Sequence, residues 1–481
     1  MSSYSVTQNT SFLTIASVGQ KAISFVYFTI IARLVGVENT GQYFFAIAFT
    51  TIFAVIADFG LSSVLTRETA REPDKTSEYF NTIFWSKILF GFVAYALVII
   101  TVNLLNYSEL TKTLIYLSGI TMFFDNLHAC NYSIFRAKKN LIYESIGIVG
   151  SQMITLSVGT VALFAGLPLY WLILAYTIPS FLNFLYTTIF LKKVYIIRYA
   201  PVWSKKIFKY FILMAAPFAL AGLISRLHSY SDSMLMSKML SPEELGWWSV
   251  PYKITFAFQF LPVALSASVY PVVSEIFIRD KGEVERLFYK SWHYLLLVSA
   301  PICLGILALA KPIIFRVYGP DYAPSVMVLR ILIPSLIFTF LALLNGAFLN
   351  AINRQKIQTL VVGVALSVSV ILNLILLPRV GIIGAAVSAL ISHFIFCWLG
   401  FYFIKKHIQV KILEVIKLFL KIMIPAGIMA GLVFYLSDKI NFLLTIPLGA
   451  VIYIGLIFLS GGLDKAIILD TREKLLRKKS L

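Results

Sequence analysis

Long apolar runs recur along the chain, each near the roughly 20 residues a helix needs to cross a bilayer, with short polar connections between them. The pattern predicts fourteen spanning helices, over 11–34, 41–66, 79–103, 113–135, 143–165, 169–190, 210–237, 246–275, 291–313, 325–352, 357–378, 381–404, 413–437 and 441–461. Two pairs are divided by very short breaks, at Gly166-Leu167-Pro168 and at Arg379-Val380. Backbone in lipid must satisfy its own hydrogen bonds, so runs of this length read as α-helices and not as a barrel. No connection exceeds about twenty residues, which leaves no room for a soluble catalytic domain.

Composition agrees with this reading. Apolar residues make up 59% of the 481 positions and charged residues 13%, with a mean hydropathy of +0.86; soluble domains run near about 45–50% and 25%. The 41 Lys and Arg against 22 Asp and Glu give a formal charge of +19. In a soluble protein that excess would suggest nucleic acid. Here alternate connections carry 27 basic residues on one side and 5 on the other, the asymmetry expected of cytoplasmic and external loops. The chain is thus expected in a membrane with both termini cytoplasmic and no nucleic-acid partner. Cys130, Cys303 and Cys397 all lie in apolar runs and imply no disulfide framework. The N-terminus lacks a basic leader and a small-residue cleavage site, so the first run reads as a retained helix.

One long-range repeat appears at an offset of 205 residues. It pairs Lys21 with Arg226, Arg33 with Lys238, Glu38 with Glu243, Gly41 with Gly246 and Tyr43 with Trp248. Six spans separate the two copies, and an even number makes the halves parallel, related by an axis along the membrane normal, as in one class of transporter. The expected architecture is all-α: an N-lobe over 1–190 (helices 1–6), a cytoplasmic linker over 191–209 and a C-lobe over 210–406 (helices 7–12). Helices 13–14 and a basic tail follow over 407–481.

Ionisable groups within spans are costly and usually face a bundle interior or a watery cavity. Lys21 lies about ten residues into the first helix, and Thr14, Ser17 and Ser24 extend it into a polar stripe at helical spacing. Arg226 holds the equivalent place in the seventh helix. These two, with Lys87 and Lys253, are candidates for a cationic cavity; structural ion pairs, and interface snorkelling for Lys87 and Lys253, are the alternatives. Asp58, Asp125 and Asp232 are candidate sites of coupling to an H⁺ or Na⁺ gradient, or else partners that neutralise a cation. His128 stands one turn from Asp125. Pro251, Pro262 and Pro271 cluster in the eighth span and predict bending there. No Walker A, HExxH, GxSxG or acidic metal motif occurs, and the five histidines show no ligand pairing with cysteine. No catalytic residue, metal site or cofactor is therefore expected. A cavity with several cations suits a buried anion such as a phosphate or pyrophosphate.

Several segments carry a resemblance: IARLVGVENTGQYFFA at 31–46, DFGLSSVLTRETAR at 58–71, SYSDSMLMSKMLSPEELGWWSVPYKI at 229–254, YPVVSEIF at 270–277, VYGPDYAPSVMVLRIL at 317–332 and LNLILLPRVGIIGAAVSALIS at 372–392. In this order and spacing the chain resembles the polysaccharide exporters of the MOP superfamily, specifically the O-antigen (Wzx-type) lipid-linked oligosaccharide flippases. The resemblance implies a MATE-like fold of two six-helix lobes around a cationic cavity, alternating between inward-open and outward-open forms. It implies as substrate an undecaprenyl-pyrophosphate-linked oligosaccharide unit in the membrane lipid, moved from the cytoplasmic to the periplasmic leaflet. The substrate-binding role falls to Lys21, Arg226, Lys87 and Lys253. A polysaccharide polymerase and a chain-length regulator are the protein partners implied. Related drug/cation antiporters usually place an acid in the first helix, where this chain has Lys21 and Arg33, which favours an anionic substrate. A multidrug antiporter, a membrane glycan polymerase or glycosyltransferase, and a passive scaffold in a glycan-assembly complex are the competing readings.

Overall fold

The computed structural model describes residues 6–437 and 439–462. The described residues are almost entirely helical. The first eight helices are α1 (Val6–Leu34), α2 (Val37–Asp58), α3 (Leu61–Arg71), α4 (Thr76–Leu104), α5 (Glu109–Ala137), α6 (Ile142–Phe164), α7 (Tyr170–Tyr195) and α8 (Lys205–Met239). They are followed by α9 (Pro242–Phe256), α10 (Phe260–Ile276), α11 (Lys281–Ala308), the short α12 (Ala310–Ile313), α13 (Ser325–Leu332), α14 (Ser335–Ala351), α15 (Gln355–Lys405), α16 (Ile412–Ser437) and α17 (Phe442–Leu459). Eleven helical stretches are long and apolar enough to cross a membrane outright. The fourteen expected spans are recovered when three more features are counted. α15 is 51 residues long and breaks at Val380–Gly381; α5 is long enough to span but carries more polar residues than the eleven allow; α17 is short.

The observed helices differ from the expected ones at their ends and by internal breaks. α11 begins ten residues before the expected 291 because Asp280 caps it, its carboxylate accepting from the backbone N–H of Gly282 (2.7 Å) and Glu283 (3.2 Å). Its first turns carry Glu283, Glu285, Arg286 and Lys290, so hydropathy registers only the part that matches the apolar layer. α8 likewise starts at a Ser204 cap. The second span breaks at Phe59–Gly60, both with positive φ (47° and 72°), into α2 and α3. The eighth breaks at a 3₁₀ turn over Ala257–Gln259. Pro262, in the cluster expected to bend this span, has no N–H for the carbonyl four residues back.

Two compact units emerge, one of residues up to Phe260 with Val362–Ser388, the other of Leu261–Val361 with the residues from Ala389 onward. In the first, α5 packs on α7, α4 and α2, while α6 lies between α1 and α7. Leu61, Leu65, Phe80, Ile83, Phe84, Ile134, Phe135 and Phe211 form a continuous core among α3, α4, α5 and α8. In the second, α11 packs against α14, α16 and α17. There the Trp292 indole donates to Asn345 Oδ1 (3.1 Å), and Asn345 Nδ2 donates to the Cys397 carbonyl (2.9 Å).

One pair matched by the 205-residue offset, Gly41 and Gly246, meets across α2 and α9. A Cβ on Gly41 would fall 2.0 Å from the Pro242 carbonyl oxygen and 2.6 Å from the Gly246 nitrogen; one on Gly246 would fall 2.1 Å from the Val37 carbonyl oxygen. Val37 and Pro242 are themselves 205 positions apart, so the contact is reciprocal, as across a local two-fold axis. Backbones this close admit only glycine, the close-packing role of small residues in membrane helices. Replacing Gly41 or Gly246 by leucine forces α2 and α9 apart, an overpacking cost of at least about 1–3 kcal/mol. We expect a lower melting temperature of the detergent-solubilised protein, and none for Gly427→Ala, where a Cβ meets nothing within 4 Å.

Candidate functional site

The first unit encloses a cavity of about 700 Å³. Polar side chains inside apolar spans build its wall: Ser24 of α1, Thr51 and Asp58 of α2, Ser118, Thr121, Asp125 and Asn126 of α5, Tyr176 of α7, Arg226 of α8 and Lys253 of α9. Hydroxyl pairs tie these helices at the same depth. Thr50 Oγ1 lies 2.7 Å from Ser118 Oγ, and Thr121 Oγ1 lies 2.7 Å from Thr177 Oγ1. A smaller chamber of about 380 Å³ lies among α1, α5, α6 and α7, and shares Ser24, Asp125 and Tyr176 with the first.

The four basic residues singled out from the sequence fall into two groups. Arg226 and Lys253 line the larger cavity, and Lys21 lines the smaller. Lys21 is close enough to both Arg226 and Lys253 for their charges to repel. Lys253 Nζ lies over the rings of Phe28 (5.3 Å) and Phe44 (5.9 Å), which hold its stem while its charge favours their faces. Lys87 is different. Its side chain is fully buried, and its Nζ donates to Asp58 Oδ1 and to Ser62 Oγ, each at 2.7 Å. Asn126 donates to the Lys87 carbonyl at 3.0 Å and ties α4 to α5. Lys87 is thus set behind Asp58, whose carboxylate is one-third exposed on the cavity side.

The acids differ in the same way. Asp58 also accepts from Ser62, so its charge is met from two sides. Asp125 borders both cavities, half exposed, and accepts from Ser180 Oγ at 2.6 Å, with His128 Nδ1 3.8 Å away. Asp232 lines neither cavity and accepts from Ser369 Oγ (2.8 Å) and Asn373 Nδ2 (2.7 Å) of α15. Away from the cavity, Glu144 receives both Nε and an Nη of Arg136. Glu68 accepts from Arg67 Nε (2.7 Å) and the Tyr210 hydroxyl (3.2 Å).

Sequence reasoning missed the uncharged part of the wall: Thr50, Ser118, Thr121, Tyr176, Gln152, Ser180 and Asn183. The signal was present. Ser118, Thr121 and Asp125 recur at helical spacing in α5, as do Ser180, Asn183 and Thr187 in α7. Such stripes are the polar counterpart of an apolar helix face.

At one end of the unit the 104–108 connection is fastened to the end of α8. Lys238 Nζ lies 3.5 Å from the centroid of the Tyr107 ring and donates to the Leu105 carbonyl, while the Tyr107 hydroxyl meets Ser237 Oγ at 2.8 Å.

Lys87→Ala leaves the Asp58 carboxylate without its buried partner, a loss of about 3–5 kcal/mol for a broken buried pair. We expect it to lower the melting temperature far more than Arg226→Ala. The double variant Lys87→Met with Asp58→Asn, which removes both charges, recovers much of the loss. Differential scanning fluorimetry on the purified variants measures this; equal melting points for Lys87→Ala and wild type would refute the pairing.

The model of the family described as polysaccharide biosynthesis protein matches residues 6–277, more than half of the chain, and the MatE model matches residues 217–375. A putative O-antigen transporter of Shigella flexneri is 25% identical over 372 residues, covering 74% of this chain and 88% of its own length. The teichuronic acid biosynthesis protein TuaB of Bacillus subtilis is 25% identical over 454 residues, 89% of each chain. Among solved structures, the lipid II flippase MurJ in an inward-closed conformation superposes with a TM-score of 0.76 at 20% identity, covering 92% of this chain and 97% of that one. The chain belongs to the polysaccharide biosynthesis protein family: it is a multi-pass membrane transporter of the MOP superfamily, a glycan flippase and not an enzyme.

Proposed function

We propose that this protein moves an undecaprenyl-pyrophosphate-linked oligosaccharide unit, of O-antigen or a similar surface polysaccharide, from the cytoplasmic to the periplasmic leaflet of the bacterial inner membrane. The observation that carries the reading is the charge balance at the cavities. Lys21, Arg226 and Lys253 border them, whereas Asp58 is neutralised by Lys87 and only Asp125 remains as an open acid. A surplus of cations at membrane depth attracts an anionic group and repels a drug cation. Pyrophosphate, with several oxygens able to take charge-assisted hydrogen bonds, fits three convergent donors.

In this reading the side with 27 basic residues is cytoplasmic, and 1–190 and 210–406 are the two lobes that rock about the 191–209 linker. The headgroup enters laterally while the lipid tail stays in the bilayer. Under an inside-negative potential, outward movement of each net negative charge gains roughly 2.3 kcal/mol per 100 mV. A coupling ion, H⁺ or Na⁺, then has only to reset the empty carrier. Asp125 suits that role because it is open to both cavities, and Asp232 because its neighbours Ser369 and Asn373 supply oxygens; Asp58 suits it less, being already paired. A polysaccharide polymerase and a chain-length regulator would take up the exported unit.

The Lys238–Tyr107 fastening would then close the external mouth. With Ser24→Cys as a reporter in the cavity, Lys238→Ala is expected to raise the labelling rate by an impermeant maleimide from outside; an unchanged rate removes the fastening from the gate. The central test is surface glycan export in a strain lacking this protein. Lys21→Ala with Arg226→Ala, at matched membrane abundance, should reduce export by at least roughly tenfold, since a hydrogen bond to a charged group contributes about 1.5–3 kcal/mol. Full export by the double variant would overturn the cationic-cavity reading. Wild type that restores only drug tolerance would overturn the flippase reading itself.

A further inference from the structure

The two chambers differ in chemistry. The larger holds Arg226 and Lys253; the smaller is lined by Lys21 and otherwise mainly by amides and hydroxyls. Resting on the flippase reading above, we infer that the smaller chamber is a saccharide subsite: it holds a sugar of the lipid-linked unit while the pyrophosphate sits among the cations of the larger cavity.

Its size, about 380 Å³, lies within the range of roughly 300–1,000 Å³ found for small-molecule sites. Sugar hydroxyls donate and accept at once, so they are best met by groups that also do both, or by a carboxylate that bridges two of them. The chamber supplies the amides of Gln20 and Gln152, the hydroxyls of Ser151 and Ser180, and the carboxylate of Asp125. Tyr176, shared by both chambers, has its ring 5.7 Å from that of Tyr27 and tilted 58° to it, and offers an aromatic surface between them.

An independent observation points to a ligand. Gln152 is 94% buried and its Nε2 has no hydrogen-bond partner among the described residues; His128 Nδ1 is likewise buried and unbonded among them. Buried polar atoms are nearly always satisfied, so an open donor and an open ring nitrogen on residues that line one chamber mark groups that await a partner. The floor, by contrast, is closed. Asn183 and Tyr132 bond to each other (2.8 and 3.0 Å), and a Cβ on Gly147 would strike both. The chamber is therefore rigid where it gives shape and unsatisfied where it would read a ligand, the arrangement that discriminates between substrates with and without a matching polar group. Shared Ser24, Asp125 and Tyr176 place it one residue's breadth from the anion site, as a sugar joined directly to pyrophosphate requires.

The test is equilibrium binding to purified protein of two probes: bare undecaprenyl pyrophosphate, and the same lipid carrying the oligosaccharide unit extracted from the producing strain. Wild type should prefer the glycan-bearing lipid. Gln152→Met, of similar length but with no donor, should weaken that lipid roughly five- to tenfold, the scale of one lost hydrogen bond, and leave the bare lipid unchanged. Gln20→Met, on a different helix, should behave alike and serves if Gln152→Met misfolds. Equal weakening of both lipids, or of neither, overturns the subsite. Wild type that binds both lipids equally overturns the subsite alone, whereas wild type that binds neither overturns the flippase reading beneath it.

Discussion

A charge inside an apolar helix bundle must be either paired or wetted, and this constraint orders the first unit. Lys87 is paired: it is fully buried, with Asp58 and Ser62 both at 2.7 Å. Glu144 is paired by Arg136, and Glu68 by Arg67 and Tyr210. Among the described residues Lys21, Arg226 and Lys253 have no such acid against them, and it is these three that border the cavities. The cavity-lining and the buried, paired cations are thus told apart by where the nearest carboxylate sits. Neither depth in the helix nor residue type separates them, because Lys87 and Lys253 both lie two turns or so into their spans.

The cavity wall must also be held without an apolar core at its centre. Close backbone contact supplies this at α2 and α9, where Gly41 and Gly246 admit each other's main chain. Hydroxyl pairs and buried amides supply it elsewhere, as in Thr50 with Ser118 and Asn183 with Tyr132. Elsewhere in the unit the aromatic core around Phe80, Phe84 and Phe135 is held in the ordinary way, by exclusion of lipid and water. The polar part of the bundle is therefore stiffened by hydrogen bonds and the apolar part by packing, so a space lined by polar groups can persist between them.

Much of this was legible in the sequence, because membrane helices obey one dominant rule. Apolar length located most of the spanning stretches, including the break at Arg379–Val380, which the structure places at Val380–Gly381. What hydropathy does not register is helix that continues into water, as at Lys281–Lys290, where the signal is the Asp280 cap and not the apolar run. The 205-residue offset found Gly41 and Gly246 as a matched pair, yet matching does not say that the two touch; that follows only once α2 and α9 are seen side by side. Intramembrane charge likewise brought out Lys21, Lys87, Arg226 and Lys253 together. The sequence could not divide them, since Asp58 and Lys87 are 29 positions apart and their meeting is a tertiary fact.

The same limit explains why the neutral residues escaped. A lysine in a span is conspicuous because its insertion is expensive, whereas serine, threonine and glutamine are tolerated there singly and stand out only as stripes. Yet the neutral groups are the ones suited to distinguishing one glycan from another. Cations attract any phosphate, so a site made of Lys21, Arg226 and Lys253 alone would accept every pyrophosphate-linked lipid in the membrane. Discrimination requires groups whose hydrogen bonds fail when the wrong hydroxyl is presented, and the chamber lined by neutral polar groups of α1, α5, α6 and α7 beside Lys21 offers such groups next to Arg226 and Lys253. Relatives that carry different polymers can therefore keep the cationic cavity and vary the chamber beside it, which separates the affinity of the carrier from its choice of cargo.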